Sequence, residues 1–307
     1  MATSSNPPAQ PSRLVHWLSG LSTASARVPS AADVAGFRKA QRLAFECCQA
    51  AAKEIRVGWT EGRTSRWMRQ WLRDHGANAH LHKPIVAFSA RSLAPTHEWG
   101  PAPDEGATLR MGDVVILDCS PVVDGYTGDA AYTCSVGPHP ELEKAQNFLS
   151  DLRAQLPQRF ANPETAKDVF HWVEGKMREA GYENAADGYV NAVMGHRVYR
   201  QPGYFGRASW FPSKKIFGYM PSWHGPGFLL KVMSHGLGLP ESLGPLHHGP
   251  KTGVWAFEPH IRAGTFGCKF EELLIVEKDR AYWLDELSQK RITIAANTRK
   301  RASVAAE

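Results

Sequence analysis

Asp118 and Asp129 stand eleven positions apart in the run ILDCSPVVDGYTGDAAYTCSVG, with an Asp124-Gly125 pair between them. Asp-Gly between two β-rich runs is a two-residue hairpin signal. With 124–125 as the turn, residue 123 opposes 126 and residue 118 opposes 131. Opposed residues share a face of a sheet, and so does every second residue of a strand. Asp129 therefore falls on the face of Asp118, as a diagonal neighbour at about 7–8 Å. Two carboxylates on one face of an apolar hairpin repel each other and lose hydration. A proton, a basic side chain or a divalent cation would offset this, and the hairpin has no Lys or Arg of its own. Spacing alone leaves a second reading open, in which this face is solvated and the pair is simply hydrated.

Three further residues extend the set. Glu258 in WAFEPHI and Glu271 in KFEELLIVE lie in or beside apolar, strand-like runs, where an ionised Glu is costly without a partner. His235 lies in SHGLGLPESLG, among small and apolar residues. By itself it fits a core histidine, a proton shuttle or a metal ligand. Together, four carboxylates and one imidazole form an oxygen-dominated donor set suited to two divalent ions of the Mn, Co, Fe or Zn kind. Two such ions can share a water, lower its pKa and polarise a carbonyl.

These residues need elements to position them. Ser30 reads as a helix N-cap with Asp33 three residues on, and Val34, Phe37, Ala40, Ala44, Cys47, Ala51 and Ile55 recur at helical spacing. A second helix is expected from about Thr60 to Gly76, and two more over roughly 140–156 and 164–180. PIVAF is a short strand, and GVWAFEPHI, CKFEELLIVE and RAYWLDEL each read as a strand. Residues 195–230, rich in Gly, Pro and aromatics without a period, read as a long loop or lid. The mixture of helices and antiparallel hairpins predicts an α+β fold. The expected organisation is an N-terminal arm over 1–30, a catalytic domain over 31–285 and a basic tail over 286–307.

The 307 residues are 43 % hydrophobic and 21 % charged, enough for a sizeable core. No apolar run reaches the roughly 18–20 residues that span a bilayer. The first thirty residues are Ser-rich and lack acids, which fits either a transit peptide or a loose tail. Five cysteines without a C-x-x-C do not make a disulfide framework, so the cytoplasm is the expected compartment. The net charge of +6 is scattered and partly in the tail, so nucleic acid is a disfavoured partner.

The segments ILDCSPVVDGYTGDAAYTCSVG, SHGLGL, FEPHI and KFEELLIVE resemble the motifs of the pita-bread metallohydrolases. That superfamily includes methionine aminopeptidases, Xaa-Pro aminopeptidases and dipeptidases, and creatinase. The resemblance spans roughly residues 31–285 and implies a pita-bread fold, a curved antiparallel sheet covered by helices. It implies Asp118, Asp129, His235, Glu258 and Glu271 as ligands of two divalent ions, with a water between the ions as nucleophile. Glu258 is then also the proton acceptor. PIVAFSARSLAPTHEWG resembles the segment ending in a histidine that steadies the substrate, here His97.

The chain also departs from the pattern. Active relatives carry a second histidine seven residues after the ligand histidine, where this sequence has Ser242. His224, His247 or His248 are candidates to replace it on the substrate side. Tyr132 stands where many relatives have Arg or Lys. The expected function is hydrolysis of a C–N bond in a small peptide or peptide-like metabolite, without membrane involvement, and a homodimer is left open. The alternative, prompted by Ser242, is a specialised hydrolysis, elimination or rearrangement of a small metabolite at the same metals. A non-catalytic binding protein is disfavoured because the full ligand set is present.

Overall fold

The first described helix, α1 (Ala31–Glu54), begins at a reciprocal cap. Ser30 Oγ accepts from the Asp33 N–H, and the Asp33 carboxylate accepts from the Ser30 N–H, both at 3.1 Å. The buried stripe is Phe37, Ala40, Ala44, Cys47, Cys48 and Ala51. Thr60 caps α2 (Glu61–Asp74), which buries Met68 and Leu72. Gly76, at φ +98°, turns the chain after it. The computed structural model describes residues 28–93, 106–185, 194–198, 200, 243–245, 251–285 and 293–294.

Strands β1 (Ala79–His80) and β2 (Ile85–Phe88) follow, then β3 (Val114–Cys119), β4 (Pro121–Val123), β5 (Tyr126–Thr127) and β6 (Ala130–Val136). The hairpin has the register its Asp-Gly turn requires, with Val123 opposite Tyr126 and Asp118 opposite Ala131. Asp124 and Gly125 both have positive φ, at +53° and +84°, the backbone of a tight hairpin turn. Helices α3 (Pro140–Ala161) and α4 (Ala166–Glu179) come next, then β7 (Glu183–Asn184) and β8 (Gly195–Arg197). The chain returns through β9 (Gly253–Phe257), β10 (His260–Ala263), β11 (Phe266–Lys269), β12 (Glu272–Val276), β13 (Ala281–Trp283) and β14 (Thr293–Ile294).

Two sheet segments carry most of the core. One has the order β14-β6-β3-β2 and the other β13-β12-β9-β8; all their pairings are antiparallel except β14 with β6. Helices α1 and α2 pack their apolar stripes with Val115, Leu117, Tyr132 and Cys134 of the first sheet. Helices α3 and α4 pack Leu149, Leu156, Phe160, Phe170 and Val173 with Trp255, Phe257 and Leu274 of the second.

Several sequence expectations are corrected. GVWAFEPHI and CKFEELLIVE are each two strands. Strands β9 and β12 pair with each other in one sheet, whereas β10 and β11 pair in another. Pro259, lacking an N–H, cannot continue the β9 ladder. The register is the same on both sides of the break, Phe257 opposite Glu272 and His260 opposite Lys269. Carried through, it sets Glu258 opposite Glu271. Helix α3 runs through Pro157 to Ala161, because Leu156 and Phe160 are both buried and hold the last turn on the core. The segment expected as a loop from residue 195 begins with β8, too short to show a period; residues 201–230 lie outside the described residues. Among the described residues, no helix is long and apolar enough to cross a membrane.

Gly128 lets α1 lie directly on the hairpin. A Cβ there would fall 2.3 Å from the Ala40 carbonyl oxygen and 2.6 Å from the Gln41 nitrogen. Gly128→Ala is expected to destabilise the protein by about 1–3 kcal/mol, since backbone must move to relieve the overlap. Gly175→Ala, in α4 with open space around it, is expected to stabilise by about 0.5–1 kcal/mol. Urea unfolding of the two variants checks both signs.

Candidate metal centre

Four carboxylates from four segments meet where the sheets join. Asp118 comes from β3, Asp129 from the residue before β6, Glu258 from just after β9 and Glu271 from just before β12. All four are buried, at 3 %, 0 %, 7 % and 2 % exposure respectively. The Asp129 N–H donates to Gln41 Oε1 of α1 at 2.9 Å, so the helix that rests on Gly128 also fixes this aspartate. A bridge between Ala131 and Glu271 ties the hairpin to the other pair of glutamates.

A buried cation is already present. Lys269, the last residue of β11 and two before Glu271, lies on the same face as that glutamate. Its ammonium donates to Asp118 Oδ2 at 2.9 Å, Glu258 Oε2 at 3.0 Å and Glu271 Oε2 at 3.1 Å. Thr133 Oγ1 pins the lysine backbone, donating to its carbonyl at 2.7 Å and accepting from its N–H at 3.0 Å. Glu272 turns the other way and pairs with Arg153 of α3 at 2.9 and 2.5 Å.

Two imidazoles approach the same carboxylates. His82 Nε2 lies 3.5 Å from Asp118 Oδ1 and 3.7 Å from Asp129 Oδ1. His196 Nε2, on β8, lies 3.2 Å from Asp129 Oδ2 and 3.8 Å from Glu271 Oε1. The donors thus fall into two groups, His82–Asp118–Asp129 and Asp129–His196–Glu271, joined at Asp129. Gly195 makes the second group possible, because a Cβ there would sit 2.5 Å from the Ala256 carbonyl oxygen of the adjacent strand.

The charges are strongly coupled. Burial pushes the Asp129 carboxyl up, but the imidazoles of His196 and His82 hold it down at about 2. Burial pushes His82 down, yet Asp129 and Asp118 raise it to about 9. Glu271 is held well above the usual carboxylate range by burial and then by the charges of Asp129 and Glu258, with Lys269 opposing them.

The site fits a divalent metal. Asp118 Oδ1 and both carboxylate oxygens of Asp129 are buried without a hydrogen bond. They face the two imidazoles, on the side away from the Asp118 oxygen that Lys269 holds. Buried acceptors of this kind require compensation, and carboxylate oxygens with imidazole nitrogens are the donors of Mn, Fe, Co and Zn.

The sequence pattern of metallopeptidase family M24 matches residues 35–278. The chain belongs to that family. Its fold is the α+β pita-bread arrangement. The X-Pro aminopeptidase from Thermotoga maritima superposes with a TM-score of 0.65 at 18 % identity, covering 90 % of this chain and 66 % of the other. The prolidase from Thermococcus sibiricus gives 0.61 at 18 % identity, covering 90 % and 64 %. The methionine aminopeptidase of Clostridium acetobutylicum is 22 % identical over 179 residues, 55 % of this chain and 68 % of its own length. The chain therefore spans about two thirds of the length of these three proteins.

Asp118, Asp129, Glu258 and Glu271 are brought together. His235, His97, Ser242, His224, His247 and His248 lie outside the described residues. Sequence reasoning missed Lys269, His82 and His196. The alternation Lys269–Glu271 in a strand-like run was the available signal for the lysine. His82 stands three residues before the β2 strand, in HLHKPIVAF, and His196 was absorbed into an expected loop.

Removing Lys269 leaves three buried carboxylates without their ammonium. Lys269→Met is expected to destabilise the metal-free protein by about 3–5 kcal/mol, and to gain more than wild type from added Mn²⁺ in a thermal melt. Glu271→Gln acts in the opposite direction. The raised carboxyl of Glu271 binds its proton more tightly in the folded protein than in the unfolded chain, which releases it above about pH 4.3. Its contribution therefore becomes destabilising as pH rises above that value. In the presence of chelator, Glu271→Gln should be more stable than wild type at pH 7, with the gap closing toward pH 4, while binding metal more weakly. A pH series of urea unfolding curves measures this.

Proposed function

We propose that this protein is a metal-dependent hydrolase of an amide or peptide C–N bond in a small peptide-like substrate, with its catalytic domain over residues 31–285. The observation that carries the reading is the set of buried oxygens of Asp118 and Asp129 that accept no hydrogen bond and face two imidazoles, placed among four carboxylates. Asp118, Asp129, Glu258, Glu271 and His196 would hold two divalent ions of the Mn, Co, Fe or Zn kind. His235, the histidine expected from the motifs, lies outside the described residues, so the proposal rests on His196 at 3.2 Å from Asp129. When bound, the ions would activate water near neutral pH and polarise the scissile carbonyl.

The protein's own residues complete the chemistry. Glu258, in the FEPHI motif, is assigned as the proton acceptor of this mechanism. Lys269 fixes the far oxygens of Asp118, Glu258 and Glu271 and offsets their repulsion. His97 is assigned to steady the substrate, with Ser242, His224 and His247 on the substrate side. The names of the relatives point to peptides with an N-terminal Xaa-Pro or Met-Xaa sequence. The five buried free cysteines fit a reducing compartment such as the cytoplasm. A second reading, a specialised reaction on a non-peptide metabolite at the same site, is prompted by Ser242 in place of the family's histidine.

Purified wild-type protein is expected to carry up to two divalent ions and to cleave Xaa-Pro or Met-Xaa dipeptides. Asp129→Asn should abolish both metal binding and turnover. Undiminished turnover by chelator-stripped protein would overturn the proposal; metal binding without turnover of either dipeptide class favours the second reading.

A further inference from the structure

His82 is held as firmly as the carboxylates it faces. Its backbone N–H donates to Ser120 Oγ at 3.2 Å, and the preceding Leu81 N–H donates to the Ser120 carbonyl at 2.9 Å. Ser120 follows Asp118 by two residues, so the same stretch of chain positions both donors. The ring is oriented as well. Nδ1 lies 2.8 Å from the Lys83 carbonyl oxygen, which can only accept, so Nδ1 carries the proton and donates it. Nε2 is thereby aimed at Asp118 Oδ1 and Asp129 Oδ1, both buried and without a hydrogen bond. A metal-binding histidine almost always donates its other ring N–H to a carbonyl or carboxylate in this way.

The separations have the same meaning. At 3.5 and 3.7 Å, Nε2 is beyond a good hydrogen bond to either aspartate. Two donors each about 2.1 Å from a shared tetrahedral ion lie about 3.4 Å apart. His196 is arranged alike, with Nδ1 toward the Arg197 carbonyl at 3.4 Å and Nε2 toward Asp129 and Glu271.

We propose that His82 is itself a metal ligand, giving the Asp118–Asp129 half of the centre an imidazole donor beside the one that His196 gives the other half. This rests on the metal-dependent reading above and extends it. On binding, the Nε2 lone pair goes to the ion and any proton there leaves to solvent. With a nitrogen donor in each half, the centre selects Zn, Co or Fe over Mn more strongly than a carboxylate-only half would.

The test uses the full chain, stripped of metal and titrated with Co²⁺. Calorimetry reads stoichiometry and affinity, and proton NMR reads the paramagnetically shifted N–H resonances of coordinated histidines. Wild type should bind two ions. His82→Gln should weaken one step by more than about 100-fold, beyond the roughly 10–100-fold loss typical of an outer partner, and should delete one shifted N–H resonance. His196→Gln should delete a different one. His75→Gln, at an exposed ring stacked on Trp71, should change neither reading. Should His82→Gln fail to fold, ¹⁵N-histidine spectra of wild type give the answer: an Nε2 signal of His82 unmoved by metal overturns the inference. Two ions bound by His82→Gln with unchanged affinities and resonances would overturn it too, leaving the proposed function intact. Wild type that binds no Co²⁺ sinks both.

Discussion

Mutual repulsion among four buried carboxylates is the constraint to which the rest of this structure answers. Asp118, Asp129, Glu258 and Glu271 are each less than a tenth exposed, and each faces another acid within the same small volume. A fold can hold such a group only by supplying positive charge or by leaving an acid protonated. Here positive charge comes from two directions. The Lys269 ammonium closes one side, and two imidazoles close the other. The lysine satisfies one oxygen each of Asp118, Glu258 and Glu271, and leaves Asp129 and the second oxygen of Asp118 for another cation.

The surrounding architecture is the means of keeping those groups in register. The two glutamates stand opposite each other where a strand pair leaves one sheet for another. That interruption frees their side chains and backbone from a regular ladder while the pairings on either side fix their position. The two aspartates are set by the hairpin, and α1 lies close enough to bond Asp129 through Gln41 because Gly128 has no side chain in the way. Small residues on α1, Ala40 and Ala44 among them, serve the same close approach. The apolar clusters under α1–α2 and α3–α4 hold the sheets from which all four acids project.

The protonation pattern follows from the same crowding. One acid of the group, Asp129, is held ionised by its imidazole neighbours, while Glu271 is driven toward its neutral form. A site that is protonated and internally paired in the absence of metal stays folded, and exchanges protons for ions when metal arrives. The carboxylate cluster thus carries its own countercharge, in Lys269 and the two histidines beside it.

Much of this was legible in the sequence. The Asp-Gly turn fixed the hairpin register, and with it the common face of Asp118 and Asp129, because side chains alternate with a period of two. The caps at Ser30 and Thr60 and the apolar spacing after them located the first two helices. Local pattern determined these features, since each depends on residues only a few positions apart. Other features were decided by the tertiary structure. Pro259 marks the break at Glu258, but the break before Glu271 leaves no mark in its hydrophobic run, because both halves of that run are buried. Lys269 reads as one more charged residue in a strand until Asp118, 151 positions away, arrives beside it. His82 and His196 sit in unremarkable local sequence, and only pairings between distant strands bring their imidazoles to one carboxylate. The acids could be found by their spacing; the cation and imidazoles that make their burial possible come from elsewhere in the chain, and only folding determines which ones.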